Sequence, residues 1–446
     1  MRSDQPRPTV ASLQAERALL VEDGNHGEYR PRPHEFTRKG VAFIRAADMS
    51  GGRILFDTAE KINGVAADRI RKGLGLPGDI LLSHKGTVGK VAIAPTKSPP
   101  FVCSPQTTFW RVLDEKRIDR NYLFAYLRSA DFLAQLASRK GETDMADYVS
   151  LTAQRELVVP LPRIEEQRAI GRLIGLLDER SALLSEAAGS IEAIAATIFK
   201  SWFVDFDPVR AKSDGGEPEG IDAATASLFP SQFEASSMGP IPSGWKAQSL
   251  DQCLELNPRR ALRKGSISTY LEMANAPTRG HRPFNLAKRE LSSGSKFVNG
   301  DTLLAKITPC LENGKTSYVD FLGDGETGWG STEFIVMRPR PPLPPFWGYL
   351  LARLPAFRAF AIQAMTGTSG RQRVEIGRLS QFMVAVPDES VASAFGRIAG
   401  HLQRKIASNS QSAETLISIR NAILPRLISG SLRIPEAVKL VEESLA

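Results

Sequence analysis

Apolar side chains recur at every seventh position along two long stretches of this 446-residue chain. In the first, from Ile164 to about Phe203, the column is Ile170, Leu177, Leu184, Ile191 and Ile198. Leu173, Ala187 and Ile194 stand as companions, and Arg180 interrupts them. In the second stretch the column is Phe395, Leu402, Asn409, Leu416 and Ile423, with Ile398 and Ile419 beside it. A heptad sustained this long predicts helices joined along a narrow seam rather than packed by a broad face. Asn409, Arg180 and Lys405 put polar groups mid-seam, a device that fixes register at some cost in stability. Roughly 40 helical residues at about 1.5 Å each make a spacer near 60 Å.

The two stretches are copies. Ile170-Gly171-Arg172-Leu173-Ile174-Gly175 matches Phe395-Gly396-Arg397-Ile398-Ala399-Gly400 at an offset of 225 (395 − 170). The same offset places Ile191, Ile194 and Ile198 on Leu416, Ile419 and Ile423, and Val159, Leu161 and Pro162 on Val384, Val386 and Pro387. Further back it places Thr107 and Phe109 on Thr332 and Phe334, and Arg128 and Phe132 on Arg353 and Phe357. A Gly-Asp ahead of an apolar run recurs too, Gly78-Asp79-Ile80-Leu81-Leu82 and Gly300-Asp301-Thr302-Leu303-Leu304, at an offset of 222 (300 − 78). A period of half the chain means a duplicated domain-plus-helix unit rather than a solenoid.

Ahead of each long helix, short apolar pieces such as Ile80 to Leu82 and Val91 to Ala94 are broken by Gly, Pro, Asn and Asp. That punctuation predicts strands and hairpins with some helix, an α+β domain. The divisions are a first domain 1–162, a long helix 163–204, a connector 205–240, a second domain 241–387, a second long helix 388–432 and a tail 433–446. The connector, rich in Pro, Gly, Ser and Asp, reads as extended; residues 1–10 and the tail read as weakly ordered.

Composition narrows the function modestly. The 57 Lys+Arg against 49 Asp+Glu leave +8, compatible with a polyanion partner. Cys103, Cys253 and Cys310 are scattered, with no metal-ligand spacing, so neither disulfides nor a metal is expected. No apolar run is read as long enough to span a bilayer and no signal peptide is read at the N-terminus, so the chain is expected in the cytoplasm.

Three motifs suggest catalysis and fail on context. Gly73-Leu74-Gly75-Leu76-Pro77-Gly78 fits a dinucleotide fingerprint, but it leads into a strand rather than a helix N-terminus. Gly314-Lys315-Thr316 lacks the first glycine of a phosphate loop, since position 309 is Pro309. Ser98-Pro99-Pro100-Phe101 resembles the target-base loop of amino-methyltransferases, but no glycine-rich adenosyl-binding strand end accompanies it. The five histidines support no triad. No catalytic residue and no cofactor is expected.

Glycine-rich basic tips are the candidate DNA contacts. In copy one these are Lys85, Thr87 and Lys90; in copy two they are Lys306, Lys315 and Thr316. Lysine neutralises phosphate, and glycine permits close backbone approach. Arg371, Gln372 and Arg373 carry side chains that can clasp guanine and adenine edges in the major groove. The aligned place in copy one, Gly141-Glu142-Thr143-Asp144, is acidic, so the two domains would not read DNA by identical contacts.

Several phrases resemble type I restriction–modification specificity subunits: SWFVDFDPVRAK, the connector ending in GPIPSGW, GDILLSHKGTVGKVAI, GDTLLAKITPCLENGKT, GTSGRQRV, ILPRLISGSL and the Leu161-Pro162 to Glu166-Gln167 helix start. The resemblance runs from about residue 40 onward. It implies two target-recognition domains that each read half of a split, asymmetric DNA site. It further implies antiparallel helices that set the gap, with two methyltransferase subunits and two motor–nuclease subunits as partners. Adenosylmethionine, ATP and magnesium would belong to those partners. Copy one departs from the pattern: nothing there matches Ile241-Pro242-Ser243-Gly244-Trp245, so residues 1–40 are expected to be shorter or differently packed. The competing readings are a single-chain methyltransferase and a DNA-independent helical adaptor.

Overall fold

The computed structural model describes residues 6–143, 146–283, 285–368 and 370–445. It divides into two compact units, one formed by the chain up to Leu183 together with Ser412 onward, the other by Leu184–Gln411. Each holds one α+β domain and half of each long helix.

In the first unit, Leu19–Asp23, Thr107–Val112, Ile80–Ser83 and Val91–Ile93 lie side by side, with Arg53–Ile54 and Met49–Ser50 completing the sheet. A second sheet runs Phe36–Thr37, Lys61–Ile62, Val41–Ile44, Phe101–Cys103, Leu74–Gly75. The second unit repeats the first pattern as Leu254–Leu256, Phe334–Pro339, Thr302–Ala305, Thr316–Tyr318. The helices Arg120–Leu127 and Ala130–Ala137 recur as Pro345–Arg353 and Pro355–Gln363, with Phe132 and Phe357 both fully buried.

The repeated Gly-Asp is a latch. Gly78 and Gly300 take positive φ, which turns the chain into the strand, and the next residue, Asp79 or Asp301, is fully buried. Asp79 accepts Leu76 N at 2.7 Å and both Nε and Nη2 of Arg111, at 2.8 and 2.7 Å. Asp301 accepts Val298 N at 2.8 Å and meets Arg338 at 2.6 Å and Arg260 at 3.1 Å. A charge with little water around it survives only when paired in this way. Arg111 and Arg338 are 227 residues apart (338 − 111), so this strand is offset by 227, and Thr107 and Phe109 correspond to Phe334 and Val336 instead of Thr332 and Phe334. A slip of two leaves every side chain on its own face, which is why the apolar pattern could not detect it.

The long helices are Ile164–Lys200, prolonged by a π-turn Ser201–Asp205, and Glu389–Ile428. In the first unit Asp178 meets Arg420, while Glu166 and Ile170 share a cleft with Leu427 and Leu432. In the second unit Phe199, Trp202 and Phe203 surround Phe395. Both sets of contacts run antiparallel. The buried companions sit four residues beyond each column position: Ile174, Ser181, Ala188, Ala195 and Trp202 on the first helix, and Ala399, Ile406, Ala413 and Leu427 on the second. Ala187 and Ile194, expected in the seam, are exposed, as are Arg180 and Lys405; Asn409 is buried. The matched glycines have a packing reason. A Cβ on Gly171 would lie 2.8 Å from Asp119 Oδ1 and Tyr122 N, and one on Gly396 would lie 3.2 Å from Pro344.

Four expectations change. The connector is not simply extended: it carries Asp207–Ser213, Ala223–Ser227 and a hairpin of Phe233–Ser236 with Gly239–Pro242, and Phe206, Val209, Phe229 and Ile241 enter the core. The tail forms a helix, Ile434–Leu445. Residues 1–5 lie outside the described residues, but Pro6 and Pro8 already accept Leu161 N and Val159 N at 2.9 and 3.0 Å, and Thr9 caps a short helix, Val10–Ala15. Copy one thus builds from two prolines the edge that Lys246–Ser249 builds in copy two, and proline suits an edge because it has no N–H to pair. Finally, one helix, Ile164–Asp205, is long and apolar enough by length and composition to cross a membrane, contrary to the reading that no run is.

Candidate nucleic-acid interface

In both units a turn after the latch strand meets a hairpin carried by the segment ahead of the long helix. In the first unit the turn is His84 to Lys90, and the hairpin pairs Gly141–Thr143 with Ala146–Tyr148. Lys85 lies opposite Tyr148, Gly86 N donates to Asp147 O at 2.9 Å, and Val149 N donates to His84 O at 2.9 Å. Lys85 and Thr87 are exposed. Lys90 is exposed as a residue, but its ammonium donates to Ala46 O at 2.9 Å. His84 is buried against Tyr148, and that burial pushes its pKa down, so its ring favours the neutral form.

In the second unit the turn from Lys306 to Lys315 meets the hairpin of Met365–Thr366 with Arg373–Val374. Val374 N donates to Lys306 O at 2.8 Å, Thr308 N to Gln372 O at 3.1 Å, and Gln372 N to Thr308 Oγ1 at 3.1 Å. Arg373 clasps Glu333 with Nε at 3.0 Å and Nη2 at 2.8 Å, which holds that carboxyl below the usual carboxylate range. Arg371 is exposed on the same hairpin; Ser369 lies outside the described residues, as does Asp144 in copy one.

The nine expected contact residues therefore divide. Lys85, Thr87, Lys306, Arg371, Gln372 and Arg373 gather at the turn–hairpin edges. Lys90 is occupied by a backbone carbonyl, and Lys315 turns inward, donating to Met273 O at 2.7 Å and Ala274 O at 3.0 Å. Thr316 is 1 % exposed in its strand and cannot reach a ligand. A Gly-Lys-Thr that looks like an exposed tip is closed over by the chain near Pro277, whose carbonyl accepts Thr316 N at 3.0 Å.

One feature escaped the sequence reading. A cleft of about 440 Å³ opens beside Lys306, lined by Arg259, Arg260, Lys296 and Thr332. Arg259 is exposed at its rim, whereas Arg260 is partly committed to Asp301 and Lys296 to Leu262 O. The basic run Arg259-Arg260-Ala261-Leu262-Arg263-Lys264 was the available signal. Guanidinium and ammonium groups around a groove suit a phosphate backbone and acceptor-rich base edges.

The rejected motifs have structural roles. A Cβ on Gly75 would lie 2.0 Å from the Phe101 ring, and Phe101, the aromatic of Ser98-Pro99-Pro100-Phe101, is 1 % exposed in the core. An aromatic packed there cannot face a target base. Burial also raises the Cys253 thiol to about 12 and Cys103 further still. Among the described residues no cluster of three or more His, Cys, Asp or Glu could hold a metal.

Comparison with known proteins agrees with this architecture. Residues 27–193 match the family described as type I restriction modification DNA specificity domain. The type I restriction enzyme MjaIX specificity subunit of Methanocaldococcus jannaschii is 22% identical over 373 residues, which is 80% of this chain and 78% of that one. The HindI specificity subunit of Haemophilus influenzae is 22% identical over 458 residues, covering 88% and 94%. The crystal structure of the type I restriction–modification S subunit from M. genitalium shares the fold at a TM-score of 0.54 and 13% identity, covering 96% of each chain. In its duplicated domains, its antiparallel helices and its sequence, the chain is similar to type I restriction–modification specificity subunits.

Proposed function

We propose that this subunit reads a bipartite, asymmetric double-stranded DNA site, one half with each turn–hairpin edge, and recruits two DNA methyltransferase and two restriction–translocase subunits. The observation that carries this reading is the recurrence of one edge on two copies of one frame with different chemistry. His84, Lys85 and Tyr148 stand in the first unit where Lys306, Ile307 and Arg373 stand in the second. Identical edges would call for a symmetric site; unlike edges call for unlike half-sites. Arg371 and Gln372 supply base-edge contacts, and Lys85, Lys306 and Arg259 supply phosphate contacts. The long helices hold the two readings at a fixed gap. A specific DNA interface typically buries about 1,000–2,500 Å², so strong binding is expected to require the methyltransferase partners.

Mapping methylated adenines across a genome that carries the complete system tests this. The expected motif is split, with two different halves and a constant unread gap. A continuous motif, or a palindrome, would overturn the reading.

A further inference from the structure

Each domain is tied to the first long helix by an arginine at the same place in the repeat. In the first unit Arg128 ends the helix Arg120–Leu127. It grips Asp178 of the long helix with two nitrogens, at 2.5 and 3.2 Å, while its guanidinium lies over Phe124 at 4.7 Å. Asp178 accepts a third bond at 2.5 Å from Arg420 of the second long helix. In the second unit Arg353, the residue 225 positions on, ends Pro345–Arg353. Its Nε lies 3.8 Å from Glu192 of the first long helix, and Tyr349 donates to the same carboxylate oxygen at 2.6 Å. Arg353 Nη1 also donates to Thr278 O and Gly314 O, at 3.0 and 3.1 Å.

Repeat symmetry alone would put the second anchor elsewhere. The counterpart of Asp178 at the 225 offset is Gln403, on the second long helix, and it donates to Asp320 at 2.7 Å instead. Both carboxylate anchors therefore belong to the first helix, at Asp178 and Glu192. These are 14 residues apart in sequence (192 − 178), two full heptads.

An apolar seam tolerates small rotations, because dispersion contacts are not directional. A planar guanidinium is directional: Arg128 holds Asp178 as a fork, while Arg353 sets its Nε toward Glu192 and its Nη1 on two backbone carbonyls, at side-chain exposures of 18% and 23% where solvent screening is reduced. We propose that Arg128 and Arg353 are positioning residues: they touch no DNA, but set the rotation of their own domains on the first helix and so decide which gap between half-sites is accepted. Adding one base pair moves a half-site by about 3.4 Å and turns it by about 34°. A domain free to rotate can follow that change, and an anchored one cannot.

This inference rests on the bipartite reading, and one experiment separates them. The complete methyltransferase assembly, with wild-type chain, Arg128→Lys or Arg353→Lys, is given targets whose gap is native, one base pair shorter or one longer. Lysine keeps the charge and loses the planar, multi-nitrogen geometry of the guanidinium. Either variant is expected to reduce discrimination between native and altered gaps about tenfold, with methylation at the native gap within about threefold of wild type. A wild-type preference that survives both variants overturns the anchors and leaves the bipartite reading standing. Equal loss at every gap reveals a merely structural role and also overturns them. A wild-type assembly indifferent to the gap defeats the bipartite reading itself. If Arg128→Lys yields no assembly, Asp178→Glu, which keeps the pair but lengthens it, is held to the same outcomes.

Discussion

The two copies agree in the frame of each domain and differ at its edge and at the helix ends. The latch pairs Asp79 with Arg111 and Asp301 with Arg338, and the helix glycines Gly171 and Gly396 fit against the same neighbouring helix start. At the turn–hairpin edge the correspondence ends: buried His84 stands near Asp23 in one copy, and Lys306 stands near Glu333 in the other. The helix ends differ as well. In the second unit Trp202, Phe203, Phe206 and Trp245 seal the end of the first long helix. In the first unit the corresponding end of the second helix borders an open cleft of about 740 Å³, lined by Leu161, Pro162, Leu427 and Ile428. A frame is constrained by packing and buried charge, whereas an edge proposed to meet DNA is free to diverge in each copy.

Cutting the shared frame should have the largest effect. Asp301→Ala strands two arginines and a backbone N–H, so the second unit should lose about 3–5 kcal/mol in urea unfolding, and Asp79→Ala should cost the first unit a similar amount. A loss below about 1 kcal/mol in both would remove the latch from the frame. Next come the unlike ends. Trp202→Ala should cost about 3 kcal/mol, and Ile428→Ala, beside the cleft, about 2 kcal/mol. Equal losses would mean that the aromatic seal adds nothing. Arg371→Ala should cost about 1–3 kcal/mol of binding and relax reading in the second half-site alone, in competition assays with single-base substitutions. Lys85→Ala should instead weaken all sequences evenly and reduce the slope against salt by about one.

The smallest effect is acidic. Arg69 grips Glu35 with two bonds of 2.7 Å, and Arg32 N adds a third, so the Glu35 carboxyl drops from 4.5 to about 2. Because the folded value is the lower one, the stability Glu35 contributes is present above about pH 4.5 and disappears as pH falls toward about 2. The Tm difference between wild type and Glu35→Gln should therefore shrink across that window; a constant difference would show that the charge is not responsible.

Much of the frame was legible in the sequence because duplication repeats it. Ile170 and Phe395 mark the same turn of two helices, and the 225 offset carries through Arg128 and Arg353. The second seam column was harder to see, since Ser181, Ala188 and Ala195 are small and give no apolar signal. The latch was hidden because its strand is offset by 227, a slip that strand alternation permits. At the interface, local chemistry pointed to Lys85, Arg371 and Gln372, but it could not reveal that Lys315 and Thr316 are enclosed by a segment some 40 residues earlier in the chain. Burial created by long-range closure leaves no local mark.

If one chain carries two independent readers, replacing residues 6–162 with the first domain of a type I specificity subunit, and mapping the methylated adenines that the assembled complex produces, separates them. The exchange includes Pro6 to Val10 because that segment pairs with Leu157 to Leu161. One half-site should change to that of the donor, while the other half and the gap stay as they were. Both halves changing together, or neither changing, would contradict the account.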